Sequence, residues 1–329
     1  MKLNNEIIAT LGPASNTSLT WQAMISSGVT GFRLNTSHLS LPQLQDWLDK
    51  LEAFRSSLEV RPYLVLDLQG SKWRLGEFTT FELVPGSEVE LIYAPSTDHQ
   101  AVLPVPHQDF FKAVSISTGE IVLNDAKSRL MVEAVSPDSV KARVVQGGEI
   151  SPRKGITFSS STYRQEALSA KDQAILEQTR YFPSIRYAIS YLRDSIEAMK
   201  YRELLGQTAY LIGKLERQPA LDQAPEISLD MDELWLCRGD FGAELGLEEM
   251  AEKVYLFSNR IKALKVPVFM AGQVLEHMVD HPTPTRSEVS YIYNCLMSGY
   301  RGLVLSDETA IGRNTLESCR AAALFEHSR

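Results

Sequence analysis

Long hydrophobic runs are missing from this 329-residue chain. No uninterrupted apolar stretch exceeds five residues, far short of the ~20 that a membrane-spanning helix needs. Cysteine is scarce: Cys237, Cys295 and Cys319 are scattered and odd in number, which excludes a disulfide framework. No Cys/His spacing suggests zinc. Basic charge is not in excess either. The 33 Lys and Arg are outnumbered by 41 Asp and Glu, giving a formal net charge of −8. Such a chain is a poor general binder of nucleic acid or of an anionic membrane surface, although a local basic pocket for a small anion is compatible with it. No low-complexity segment or internal repeat is present, and no apolar signal region follows Met1–Glu6. These absences leave a globular protein with reduced thiols, expected in the cytoplasm.

Length suggests two domains at ~150 residues each, although a single α/β barrel commonly exceeds ~250. Short apolar runs alternate with helical patterns. Strands are expected at Glu6–Leu11, Gly31–Asn35, Pro62–Leu68, Ser184–Ser190, Ala209–Lys214, Glu233–Cys237, Val266–Met270 and Gly302–Leu305. Helices are expected near Ser18–Ser27, after Leu41-Pro42, and at Ser169–Arg180, Ser195–Leu205, Leu247–Leu264, Ser287–Ser298 and Thr315–His327. Ser169 suits an N-cap, and Asp172 the first turn that follows it. Eight such alternations predict an α/β fold, a parallel (β/α)8 TIM barrel, with a doubly wound open sheet as the competing architecture. The rhythm breaks between about Ser71 and Thr157. Short strands at Glu88–Tyr93, Glu120–Asn124, Leu130–Val135 and Val140–Val145, punctuated by turns, predict a small inserted β domain there. The expected division is barrel 1–70, insertion 71–157 and barrel 158–329.

Sites on such a barrel lie where the strands end, and residues two apart on a strand point the same way. Polar pairs at that spacing recur: Arg33 and Asn35 with Ser37, Asp67 and Gln69, Lys214 and Glu216, Arg238 and Asp240, Ser306 and Glu308. Ser190 closes the fourth strand. One pair is no more than a polar turn; five or six in register with the strand count are a constellation. Glu216 and Asp240 form a hard oxygen donor set suited to Mg2+. Arg33 offers a planar fork for phosphate. Lys214 can stabilise charge on a transferring phosphoryl group.

At these residues the sequence resembles the pyruvate kinase family. Ile7–Ser15 (IIATLGPAS), Arg33–His38 (RLNTSH), Ile212–Glu216 (IGKLE), Arg238–Gly242 (RGDFG), Pro282–Val289 (PTPTRSEV) and Leu305–Ala310 (LSDETA) are each similar to a family motif, in the family's order. The resemblance implies a barrel carrying a small β-barrel lid domain, and transfer of a phosphoryl group from phosphoenolpyruvate to ADP, giving pyruvate and ATP. It assigns Lys214 and Arg33 to the transferring phosphate, and Glu216 and Asp240 to Mg2+ or Mn2+. Gly239 and Asp240, with Ser190 and Gly272, fall to the substrate. His38, Arg74 and Lys154 fall to the nucleotide, with Asp125 as a further lid residue. Asn35, Ser37 and Asp67 fall to a monovalent-cation site. Ser306 and Glu308 match active-site positions.

Three departures accompany the resemblance. Gly70-Ser71-Lys72-Trp73-Arg74 replaces the family's GPEIR. Lys72 stands where K+-dependent members carry Glu, so a tethered ammonium is expected in place of K+, and no K+ requirement. Gly272 replaces an active-site threonine, which predicts a slow kinase that threonine would accelerate. The sequence stops after the eighth helix, so the family's C-terminal effector domain is expected to be absent and the assembly to be a monomer or homodimer. Two further readings stay open. One is an enzyme that handles phosphoenolpyruvate or pyruvate with another acceptor or as a lyase. The other is a non-catalytic phosphometabolite-binding paralogue.

Overall fold

The computed structural model describes residues 5–115, 119–124, 127–158, 164, 168–182 and 184–325. They divide into two compact units. The first holds Met1–Gly70, Leu168–Arg238 and Lys253–Arg329; the second holds Ser71–Ala167 and Gly239–Glu252. The return to the first unit thus falls at Leu168, ten residues after the expected boundary at 158.

The first unit is a closed barrel of eight parallel strands: Glu6–Thr10, Gly31–Asn35, Tyr63–Asp67, Ile185–Ile189, Tyr210–Leu215, Glu233–Cys237, Val268–Ala271 and Gly302–Leu305. Each pairs with its sequence neighbours, and the eighth closes onto the first with Glu6 opposite Gly302. Closure excludes the open doubly wound sheet. Both faces of each strand are covered, which is why the strands read as nearly unbroken apolar runs. ELWLC, for example, is buried at all five positions. Ile8, Val65, Ala188, Ile212, Trp235, Phe269 and Val304 fill the interior together. Full burial of such a side chain contributes roughly 1.5–3 kcal/mol.

The connecting helices carry their own start signals. Leu41–Ser56 begins with a capping box between Ser40 and Gln43, and Arg286–Ser298 with one between Thr285 and Glu288. Ser169 caps Ala170–Thr179 as expected. The Arg238–Leu245 helix begins at once where the sixth strand ends. Among the described residues no helix is long and apolar enough to cross a membrane.

The second unit is built on a seven-stranded sheet in the order Trp73–Arg74, Gly155–Phe158, Glu120–Leu123, Ser128–Val135, Ser139–Gln146, Glu88–Ile92 and Val102–Pro104. Neighbours are antiparallel except the last pair. Phe81–Leu83 and Gly148–Ile150 add a two-stranded ribbon. Trp73, Phe110, Phe111 and Phe158 anchor a single apolar core beneath the sheet. The Trp73 ring lies 4.9 Å from Phe158 and edge-on to Phe110.

Candidate active site

Four strands of the barrel deliver a buried cluster of alternating charge. Arg33 projects from the second strand and Asp67 from the third, and the Arg33 guanidinium grips Asp67 Oδ2 through Nε at 2.7 Å and Nη2 at 2.6 Å. Arg33 Nη1 donates to Thr10 Oγ1 at 2.7 Å, and that hydroxyl donates onward to the Leu305 carbonyl. Ser190, just past the fourth strand, donates to Asp67 Oδ1 at 2.8 Å. Lys214 on the fifth strand completes the set. Its Nζ donates to both Asp67 oxygens at 3.1 Å and to Ser190 Oγ at 2.9 Å, and it pairs with Glu216 Oε1 at 2.9 Å. Glu216 Oε2 accepts from the Tyr191 amide at 2.7 Å.

Two cations and two carboxylates therefore balance in a site from which water is largely excluded. Desolvation opposes every one of these charges. Burial works against the Asp67 carboxylate, but Lys214, Arg33 and the Ser190 hydroxyl outweigh it and hold its pKa below the usual range. Burial likewise works against the Lys214 ammonium, and Asp67 and Glu216 outweigh it, so its pKa rises. Both groups are charged at neutral pH. Cys237 stands nearby, and burial together with Glu216 pushes its thiol well up, so it is no nucleophile.

The loop after the second strand is ordered by the same residues. Asn35 Oδ1 accepts from the Ser37 amide at 3.2 Å, and Thr36 Oγ1 donates to the Asp67 carbonyl at 2.7 Å. His38 ends the short turn that follows and is exposed.

Within the second unit, the Lys72 ammonium is paired with Asp240 and is only 5% exposed. Gly155 leaves the room that Lys72 fills, because a Cβ there would lie 2.3 Å from Lys72 Cε. Of the three residues expected around a monovalent cation, Asp67 spends both oxygens on Arg33, Lys214 and Ser190. Arg74 Nη1 donates to the Arg153 carbonyl at 3.2 Å. Lys154 lines a cavity of about 420 Å³ together with Asn124, Lys127, Ser128, Glu149 and Ser151. Asp125 lies outside the described residues. Gly239 and Asp240 occupy the first turn of the Arg238–Leu245 helix, the positive end of its dipole.

Two expected positions turn out to serve the loops. Glu308 is fully buried, and its carboxylate accepts from the amides of Leu275 at 2.9 Å and Ser306 at 2.6 Å. It ties the loops after the seventh and eighth strands together. Arg238 lies over the Tyr291 ring and donates to the carbonyls of Gly272 and Gln273 at 2.7 and 2.9 Å. Gly272 has φ +81° and Gln273 φ +54°. A β-branched residue is strained there, so threonine is not simply restorable at position 272. Thr10 escaped the sequence reading, because Ile8 and Gly12 at spacing two form no polar pair with it.

A family model described as the pyruvate kinase barrel domain matches residues 2–319. The chain belongs to the pyruvate kinase family. The pyruvate kinases of Methylorubrum extorquens and Aeropyrum pernix are 30% and 31% identical to it, each over 95% of this chain. The chain spans 66% and 68% of their lengths. It covers 54% of pyruvate kinase 2 of Synechocystis, at 29% identity.

The carboxylates at the matched motif positions are hard oxygen donors, each of a kind that a divalent cation takes. Among the described residues no group of three or more His, Cys, Asp or Glu side chains could hold a metal. Mg2+ needs no such cage, since it takes one or two carboxylates and completes its shell with water and phosphate oxygens. Glu216 and Asp240 are carboxylates of that kind. In the structure each is matched by an ammonium, Lys214 and Lys72 respectively.

Proposed function

We propose that this chain transfers the phosphoryl group of phosphoenolpyruvate to ADP, giving pyruvate and ATP, with Mg2+ and without a need for K+. The observation that carries this reading is the Arg33–Asp67–Lys214–Glu216 cluster at the C-terminal ends of the barrel strands. Phosphoryl transfer asks the protein for position and electrostatics rather than covalent chemistry. Asp67 and Thr10 fix the plane of the Arg33 guanidinium with three hydrogen-bonding N–H groups. A guanidinium has five, so donors remain for a phosphate. Lys214 is kept protonated and immobile by Asp67, Ser190 and Glu216. Its charge is in place before the reaction and needs no reorganisation.

In the transfer itself, a terminal oxygen of ADP bonds to phosphorus and the bond from phosphorus to the enol oxygen breaks. The enolate left behind takes a proton at its methylene carbon. By their match to the family motifs Glu216 and Asp240 are each assigned to the cation, which would neutralise charge on the phosphate oxygens when bound. Arg74 and Lys154 are assigned to the nucleotide on their match to the family motifs, and His38 with them. A coupled assay with single omissions tests the reading. Leaving out ADP or Mg2+ should abolish pyruvate formation, whereas leaving out K+ should not. Phosphoenolpyruvate consumed without ADP would favour the lyase reading, and nucleotide binding without turnover the non-catalytic one.

A further inference from the structure

The chain returns to the barrel unit at Leu168, and the helix Ala170–Thr179 begins two residues later. Ser169 caps that helix, its Oγ accepting from the Asp172 amide at 3.0 Å. An acidic residue in a first turn is commonly explained by the free amides of its own helix. That explanation does not account for the burial of Asp172, whose side chain is wholly shielded from solvent. Burying a carboxylate is costly unless its oxygens are satisfied. Here both are satisfied from another segment. Oδ1 accepts from the Gln69 amide at 2.9 Å and Oδ2 from the Gly70 amide at 3.1 Å. Those are the last two barrel residues before the chain passes into the second unit at Ser71.

The backbone at this crossing is unusual. Gly70 has φ +66°, and a Cβ there would lie 2.2 Å from the Ser190 carbonyl oxygen. The next residue back along the helix reaches a different loop. Lys171 Nζ donates to the carbonyls of Thr36 at 2.6 Å and Ser37 at 3.3 Å. One helical turn therefore grips amides with an anion and carbonyls with a cation, both as charge-assisted hydrogen bonds.

We propose that Asp172 and Lys171 are positioning residues: they tie both crossings of the inserted unit, at Gly70 and at Leu168, to the loop Thr36–His38. His38, assigned to the nucleotide by its motif match, ends that loop, so the pair fixes the backbone from which it projects. The kinetic part of this proposal rests on the phosphoryl-transfer reading; the structural part does not.

Hydrogen exchange on the unaltered chain tests the structural part directly. The Gln69 and Gly70 amides should exchange as slowly as those of the third strand, and fast exchange there overturns the proposal whether or not any variant folds. Asp172→Asn replaces one acceptor oxygen with a donor that opposes a backbone N–H. It should raise exchange at residues 69 and 70 by about tenfold while leaving the first and eighth strands unchanged. Lys171→Met should do the same at residues 36 to 38. In steady-state kinetics, Asp172→Asn should raise KM for ADP by about tenfold, the equivalent of one charge-assisted hydrogen bond, with a much smaller effect on KM for phosphoenolpyruvate. Exchange that rises evenly across the barrel, or a fall in kcat with both KM values unchanged, would show a merely structural role and overturn the proposal. An inactive unaltered chain would refute the phosphoryl-transfer reading, and the exchange data would still decide the clamp.

Discussion

Replacing Asp67 with Asn removes the one carboxylate that both site cations share. The substitution keeps the shape of the side chain and deletes its charge. Asp67 is 2% exposed, and it holds Arg33 at 2.6 Å and Lys214 at 3.1 Å. Afterwards Lys214 keeps Glu216 and Ser190, whereas Arg33 keeps the Thr10 hydroxyl. Breaking a buried ion pair from one side costs about 3–5 kcal/mol, because the remaining charge stays desolvated. For a chain of this size that corresponds to a melting temperature lower by roughly 4–7 °C.

The pH dependence has a definite sign. The folded-state pKa of Asp67 lies below its unfolded value. Its contribution is therefore fully present above the unfolded carboxylate range near ~4 and lost as pH falls through the folded value. The gap between the original chain and Asp67→Asn should stay constant from about pH 6 to 8 and narrow in acid. Lys214 behaves oppositely: its pKa is raised, so its contribution holds below the unfolded value near ~10.4 and fades as pH climbs through the folded one. Differential scanning fluorimetry across pH measures both. A double variant with Lys214→Met supplies the coupling; it should be less destabilised than the two single variants summed, by more than ~1 kcal/mol. Strict additivity, or a variant as stable as the original at pH 7, would refute the shared-carboxylate account.

Other outcomes follow from the same geometry. Glu216→Ala should lower activity by several orders of magnitude while the chain stays folded by circular dichroism, and near-normal turnover would remove Glu216 from the metal site. Gly272→Thr should lose about 1–2 kcal/mol of stability at φ +81°, seen as a lower denaturation midpoint; unchanged stability with faster ATP formation would restore the reading that the missing hydroxyl limits the rate. The unaltered chain should turn over in K+-free buffer, and strong K+ activation would contradict a role for the Lys72 ammonium. Cys237 should resist iodoacetamide in the native state at pH 8, because burial raises its thiol pKa; rapid alkylation found by mass spectrometry would count against that burial.

The barrel was legible because its physics is written locally. A strand covered on both faces must be apolar throughout, and Glu233–Cys237 and Gly302–Leu305 appear with the very limits their sequences suggest. The inserted unit was less legible. Trp73–Arg74, Phe81–Leu83 and Val102–Pro104 are two or three residues long, too short for any alternation to show. The Leu247–Leu264 helical pattern proved to be a helix to Ser258 followed by a short 3-10 turn at Ile261–Ala263.

At the site, the spacing-two rule found Arg33, Asp67 and Lys214–Glu216, because side chains two apart on neighbouring parallel strands converge. It gave no sign that the Glu308 carboxylate accepts from the backbone amides of Leu275 and Ser306. It also passed over Asp172, since nothing in its own segment reveals that residues 69 and 70, more than a hundred positions away, are its partners. Lys72 was expected near a monovalent-cation site, and its contact with Asp240 is a tertiary fact that no local pattern encodes.

Phosphorus-31 NMR on the purified chain tests the central claim most directly. With phosphoenolpyruvate, ADP and Mg2+ present, the phosphoenolpyruvate signal should decline as the γ-phosphate signal of ATP grows in equal amount, and Lys214→Met or Arg33→Ala should stop both changes. Release of inorganic phosphate in place of ATP, or an unchanged spectrum from folded protein, would contradict the account.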